Sequence, residues 1–444
     1  MKNSPYKAEI LLGLNILMAG TMIFSRSLSL LYSALIIIYG LFRIISKKNS
    51  DGSAHNMAGY AVGIEVLFRM NSGGLGYEFG KYAVFLFLVV GLIVERRKNV
   101  TPNIFIIFLF LLIPAIFMVS SESFERSRQL VSFNLSGPVV LALSVIYFYK
   151  RKFTPVLLKN LFLSILYPIV AMSFFLYFRS GALENLQYTT ESNFQASGGF
   201  GPNQVSTILG LGILVIAASY FLNISLFRIK HLNIALLLLL LVRGLATFSR
   251  GGMLAPIIGI VVCIIIMTLL DSRFKLRMNR IVYTFIIIIV VAFLGFNYVN
   301  DVSGGLLEMR FKGESQYNAE KSNMFSGREA IFEEDLQIFQ ENALIGVGPG
   351  MAMEKRGEIG VEAAAHIEYS RLLAEHGIFG IAAILIILFF PALTFFESKS
   401  TNDRILLILC SVFVFVTLGH AAMRIAAAGF VYGIAFLNIV RPRQ

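Results

Sequence analysis

Residues 361–390 read VEAAAHIEYSRLLAEHGIFGIAAILIILFF. The first half carries a histidine, an arginine and glutamates, while the last ten residues, from Ile381 onward, offer no polar side chain. A segment that changes in this way sits at the lip of a bilayer, with its polar chemistry just outside the hydrocarbon. The rest of the chain extends that reading. Of 444 residues, 57% are hydrophobic and only 14% charged, more apolar surface than a soluble domain can hide.

Apolar runs of about 15–20 residues, the length that spans a bilayer, occur near 8–24, 28–45, 58–72, 79–94, 104–119, 136–149, 157–178, 204–222, 232–248, 252–270, 281–298, 377–396, 404–418 and 425–440. Each must be helical, because a lone strand leaves its backbone unpaired in lipid. The expected fold is an all-α, polytopic integral membrane protein with about 12–14 transmembrane helices and one large, partly helical external loop. The start MKNSPYKAEILLGLNILMAGTMIF (1–24) is basic like a signal peptide but lacks a small-x-small cleavage site, so it reads as a retained first helix. Cys263 and Cys410 lie far apart inside apolar runs and indicate no disulfide framework. No inverted internal repeat of the transporter kind is visible.

The net charge of +12 is a topology signal rather than a nucleic-acid signal. RIISKK, ERRK, YKRK, FRIK, SRFKLRMNR, KSTNDR and RPRQ fall on alternate connections, on the side of Lys2 and Lys7. The positive-inside rule puts that set and both termini in the cytoplasm. The chain then divides into N-terminal spans (1–200), central spans (201–298), a periplasmic loop (299–376) and C-terminal spans (377–444). The loop carries 14 of the 26 acidic residues against seven Lys and Arg. Within it, SGREAIFEEDLQIFQEN (326–342) predicts an amphipathic helix with Phe332, Leu336 and Phe339 on one face and capping-box spacing from Ser326 to Glu329. GVGPG (346–350) predicts a tight, rigid turn, after which a second helix runs through His366 into the membrane.

Charge inside a span is expensive, roughly 3 kcal/mol for a mid-bilayer arginine. Glu65 and Arg69 stand four apart in the favourable order for a helical ion pair, and Glu78 and Lys81 three apart; both predict structural pairs. Arg243 and Arg250 are seven apart, about 700° of helix and so roughly 20° short of two turns, which predicts one shared face. Neither has an acidic residue nearby in sequence. Snorkelling accounts for Arg250 at the external end but not for the deeper Arg243; two aligned guanidiniums suit a bound polyanion such as diphosphate. Arg328 opens a helix, where a cation opposes the macrodipole, so a binding role fits it better than a stabilising one. His366 begins the last external helix. Glu375 follows nine residues on, out of phase with it on a continuous helix, whereas Glu362 and Ser370 are in phase. His420 and Arg424, four apart near another external helix end, join the same surface. There is no HExxH, cysteine cluster or nucleotide-binding glycine loop, so neither metal nor cofactor is expected.

The blocks FSRGGMLA (248–255), SGREAIFEEDLQIFQENALIGVGPG (326–350) and HIEYSRLLAEHGIFGI (366–381) resemble the conserved region of the O-antigen ligase and O-antigen polymerase superfamily, and FGPNQVSTILGLG (200–212) is similar to a segment frequent there. The resemblance covers roughly 200–385; about 14 candidate spans depart from the 12 or so expected. It implies a bacterial inner-membrane glycosyltransferase that works without a metal or cofactor, with its site on the periplasmic side. The donor would be a glycan on undecaprenyl diphosphate, and the acceptor a saccharide or the lipid A core. A chain-length regulator is a protein partner it leaves open, beside the membrane lipids. Residue by residue, the membrane arginine of R-x-x-x-L falls on Arg250, with Leu254 in place, the external arginine on Arg328 and the histidine on His366. These three would carry catalysis, with Arg243, Arg424, His420 and Glu375 binding substrate. A protein-glycosylating oligosaccharyltransferase of the same superfamily is the nearest alternative. A lipid-linked oligosaccharide transporter would line a path from both sides, and a structural or sensory scaffold would leave Arg243, Arg250, Arg328 and His366 scattered.

Overall fold

The computed structural model describes residues 5–95, 102–229, 231–275, 278–314, 328–358 and 367–440. Each of the apolar runs falls on a helix: Lys7–Phe24, Arg26–Ser46, Ser53–Met70, Phe79–Glu95, Asn103–Leu111 with the 3-10 turn Pro114–Met118, Phe124–Phe148, Pro155–Ser180, Pro202–Phe221, Leu232–Ala246, Arg250–Leu270, Met278–Val302, Glu368–Glu397, Thr401–Leu418 and Ala426–Ile434. The protein is an all-α polytopic membrane protein. Among the described residues, nine helices are long and apolar enough to cross a bilayer, fewer than the 12–14 expected as full spans. The shortfall has physical causes. Ser53–Met70 carries Glu65 and Arg69 and is buried along almost its whole length, so it is shielded from lipid by its neighbours and need not be apolar. Ala426–Ile434 is nine residues long and wholly buried.

Local sequence sets the helix starts. Thr154 accepts the N–H of Leu157 at 3.3 Å ahead of Pro155, and the Ser123 hydroxyl accepts the N–H of Arg126 at 3.2 Å, each satisfying a donor the helix leaves unpaired. The only strands among the described residues are a two-residue parallel pair, Lys152–Phe153 with Asn438–Ile439.

The connections gather into two sets. In one, Arg43 pairs with Asp51 (2.6 Å), Arg151 with Glu95 (2.6 Å), Lys150 with Glu397 (3.3 Å) and Arg404 with Asp271 (3.3 Å); this is the end of the basic connections. The other set joins residues 71–78, 119–123, 247–250, 303–314, 343–350 and 419–425, and both cationic groups described below lie at that end. Pro202–Phe221 runs buried through the middle, while Lys7–Phe24 and Arg26–Ser46 lie at the rim with most of their surface exposed. Small residues bring the central helices together. A Cβ on Gly210 would stand 2.2 Å from the Gly252 carbonyl oxygen, and one on Gly252 2.2 Å from the Ser206 hydroxyl. Only at such positions can membrane helices approach this closely.

The loop folds as Leu306–Lys312, Arg328–Glu341 and Met351–Glu358, then enters Glu368–Glu397, which bends at Gly377 (φ 58°). Arg328–Glu341 is amphipathic, but the expected face is corrected: Ile331, Asp335 and Ile338 are buried, and Phe332 is exposed. Asp335 takes the inward position because Arg356 pairs with it there and the Ser370 hydroxyl donates to it at 2.6 Å. Ser326 of the expected capping box lies outside the described residues. The GVGPG turn is as tight as expected, with φ of 80°, 99° and 85° at Gly346, Gly348 and Gly350. It docks on the bend: the N–H groups of Val347 and Gly348 donate to the carbonyls of Ala374 and Glu375 (3.0 and 3.1 Å).

Candidate functional site

The expected pairs Glu65–Arg69 (2.5 Å) and Glu78–Lys81 (2.6 Å) form and merge into one buried network through Arg69–Glu78 (3.2 Å). Arg69 also donates to Gln204 (3.0 Å) and the Tyr77 carbonyl (2.9 Å), and Glu65 accepts the N–H of Ala426 (2.8 Å). A buried ion pair costs desolvation that only complete hydrogen bonding repays. Here the carboxylates and guanidinium are so bonded, which fixes Ser53–Met70, Phe79–Glu95, Pro202–Phe221 and Ala426–Ile434 against one another.

Above this network opens a cavity of about 350 Å³. Its cations come from five separate segments: Lys81, Arg126, Arg356, Arg371 and Arg424. The carboxylates in its wall are Glu368 and Glu375, and both are taken up by Arg371, Glu375 at 2.6 Å. Glu368 also accepts the N–H of Met423 at 3.1 Å. Glu78 and Asp335, which balance Lys81 and Arg356, stand behind the wall rather than in it. Arg126 reaches Glu354 at the rim (3.3 Å) and is half exposed. Burial lowers the pKa of Arg424, and the guanidiniums of Arg371 and Arg356 push in the same direction. Leu130, Phe133, Met353 and Met423 supply apolar wall between the charges.

A second cationic group lies at the head of Arg250–Leu270. The Arg250 Nη1 donates to the carbonyl of Arg310 at 3.1 Å. Arg310 reaches the Phe248 carbonyl and the Ser192 hydroxyl, both at 3.4 Å, and Glu191 at 3.6 Å. Burial lowers the Arg310 pKa, with Arg250 beside it adding to the effect. The segment FGPNQVSTILGLG packs beneath: Ser249 donates to Asn203 (2.8 Å), Ser206 to Ser249 (2.8 Å), and Thr207 bonds His420 (3.1 Å). The His420 ring fills the space where a Cβ of Gly251 would be, 2.3 Å from its Cγ. Four residues on, Arg424 lines the cavity, so the two cationic groups are joined by a stretch of chain that reaches at most about 14 Å.

Arg243 stands apart from both. The expected common face with Arg250 is corrected: the helix ends at Ala246, Phe248 takes a left-handed φ of 56°, and a new helix starts at Arg250. Arg243 is buried with its guanidinium 5.2 Å over the Tyr177 ring, and its Nη1 has no hydrogen-bond partner among the described residues. Of the other sequence candidates, Glu375 and Arg424 line the cavity and His420 lies against Gly251. The backbone of Arg328 begins its loop helix, while its side chain, like all of His366, lies outside the described residues. Sequence reasoning missed Arg126, Arg310, Arg356 and Arg371. Only Arg371 had a signal, since Glu368 and Glu375 flank it at −3 and +4, the spacings that share a helix face.

Residues 234–385 match the family model described as O-antigen ligase, a likeness that supports a place among the membrane proteins of the O-antigen ligase and polymerase superfamily. The matched stretch contains Arg243, Arg250, the entire loop and the bend at Gly377. No curated protein matches the chain.

Proposed function

We propose that the protein transfers a glycan from undecaprenyl diphosphate to a saccharide acceptor at the periplasmic face of the bacterial inner membrane. The placement of Arg250, inside the matched stretch and at the polar head of a membrane helix, carries this reading. Basic connections at the opposite end support a cytoplasmic position for that end and for both termini.

In the proposed reaction, Arg250 and Arg328 hold the donor diphosphate. Guanidinium forks match phosphate oxygens, and placing them where charge develops on the leaving group stabilises the transition state. His366 accepts the proton of the acceptor hydroxyl. The hydroxyl oxygen bonds to the anomeric carbon as the bond from that carbon to the phosphate oxygen breaks. Undecaprenyl diphosphate departs with the electron pair, and the anomeric configuration inverts. Arg310 orients Arg250 through its carbonyl, and the Asn203–Ser249–Ser206 bonds hold the helix start in place.

Purified protein given a synthetic undecaprenyl-diphosphate repeat unit tests this, with more repeat unit offered as acceptor in one reaction and core lipid in another. Elongated or capped product is expected from one of them, and a His366→Ala protein should bind donor and form product at least about 10²-fold more slowly. Full activity in that variant would overturn the base assignment.

A further inference from the structure

A transferase that draws both substrates from a membrane needs two head-group sites, and the cations at this end of the bundle fall into two groups. The Arg250 group answers for one. The other is the cavity lined by Lys81, Arg126, Arg356, Arg371 and Arg424. We infer that this cavity is a separate anion subsite that holds a phosphate group carried by the acceptor.

This rests on the transfer reading above, and three observations carry it. First, among the described residues the wall presents five cations and two carboxylates; Arg371 occupies both carboxylates, and Glu354 meets Arg126 only at the rim, so the described lining carries more cations than carboxylates. Second, three of those cations are held rigid from behind or beside: Lys81 by Glu78, Arg356 by Asp335, and Arg371 between Glu368 and Glu375. An array fixed in advance binds a phosphate without first having to order itself. Arg126 and Arg424 complete it from two further segments. Third, Glu368 in the wall follows His366 by two residues. In the proposed reaction the base touches the acceptor hydroxyl, and with the Arg250 group given to the donor diphosphate, this second cationic cavity falls to the acceptor. The apolar side chains Phe133, Met353 and Met423 between the charges suit a head group that arrives attached to lipid or sugar.

Titration of the full chain in lipid nanodiscs with radiolabelled farnesyl diphosphate tests the subsite without relying on turnover. Two molecules should bind per chain. The pair Arg126→Gln and Arg424→Gln should remove one, and Arg250→Gln the other. Arg126→Gln alone, at a half-exposed position that leaves the packing intact, should weaken one site by about tenfold. A single site in the wild type, no binding, or both sets of variants removing the same site would overturn the proposal. In the transfer assay, Arg126→Gln should raise the acceptor KM about tenfold and leave the donor KM unchanged. Two acceptors, an undecaprenyl-diphosphate repeat unit and a phosphorylated core saccharide, separate the sources of the phosphate. Each is compared with its dephosphorylated form, which should not sense the substitution; an equal effect on both forms would sink the subsite. If two sites titrate and neither acceptor is glycosylated, the transfer reading fails while the anion site stands.

Discussion

The carboxylate of Glu65 accepts the backbone N–H of Ala426 at 2.8 Å, across 361 residues of chain. The same carboxylate pairs with Arg69 at 2.5 Å, and neither side chain is exposed to any useful degree. Glu65→Ala leaves Arg69 with Glu78 as its only carboxylate partner among the described residues and the first turn of Ala426–Ile434 without its acceptor. Breaking a buried pair from one side costs about 3–5 kcal/mol. Thermal unfolding in detergent should show a marked loss of Tm, and an unchanged Tm would mean the network is not structural.

Gly252 and Gly210 set the approach of the two central helices. Gly252→Val places branched carbon where the Ser206 hydroxyl and backbone stand, and such overpacking costs typically about 1–3 kcal/mol or more. The variant should elute as aggregate or unfold early on size-exclusion chromatography. Gly13→Ala, where a Cβ meets nothing within 4 Å, should behave as wild type in the same assay.

Asp335 is the buried partner that holds Arg328–Glu341 onto Arg356 and Ser370. Asp335→Ala should loosen that helix and expose the loop to limited proteolysis, with cleavage between residues 328 and 358 appearing before the membrane helices unfold. Equal protease resistance in variant and wild type would show that the apolar contacts of Ile331 and Ile338 hold the helix alone.

Substitution of the proposed reacting groups should separate binding from chemistry. His366→Ala should lower kcat by about 10²–10⁴-fold, the usual worth of a general base, with the donor KM little changed. Arg250→Ala should weaken donor binding, and Arg250→Lys should restore only part of it, because an ammonium lacks the guanidinium fork. Rates from single-turnover transfer would decide both.

Orientation can be read with a membrane-impermeant thiol reagent on intact spheroplasts of a host producing the Cys263→Ser, Cys410→Ser protein. A Glu184→Cys substitution should label from outside, and Lys47→Cys should label only after permeabilisation. The reverse pattern would invert the proposed topology and remove the periplasmic site.

Much of the architecture was legible because hydrocarbon leaves the backbone one solution. Every apolar run holds a helix, and the pairs Glu65–Arg69 and Glu78–Lys81 formed at the spacings that helices favour. Where the reading failed, tertiary context had overruled local pattern. The loop helix turns Asp335 inward because a buried arginine pairs with it, and no stripe of apolar residues announces that. The break between Arg243 and Arg250 depends on Phe248 in a left-handed conformation, which an aromatic residue does not signal. The cavity draws on segments hundreds of residues apart, such as Lys81 and Arg424. Pairings of that range become visible only in three dimensions.

The wedge formed by Ala426–Ile434 has a consequence for how the chain is made. Gly429 and Gly433 seat it against Leu141 and Ser144, the strand at Asn438–Ile439 clasps Lys152–Phe153, and Met423 and Arg424 just before it finish the cavity wall. A nascent polypeptide therefore holds most of its membrane-inserted length before either end of the bundle can close. The pocket can close only once Ala426–Ile434 has been made and inserted, and a chain halted before it would lack that part of the wall.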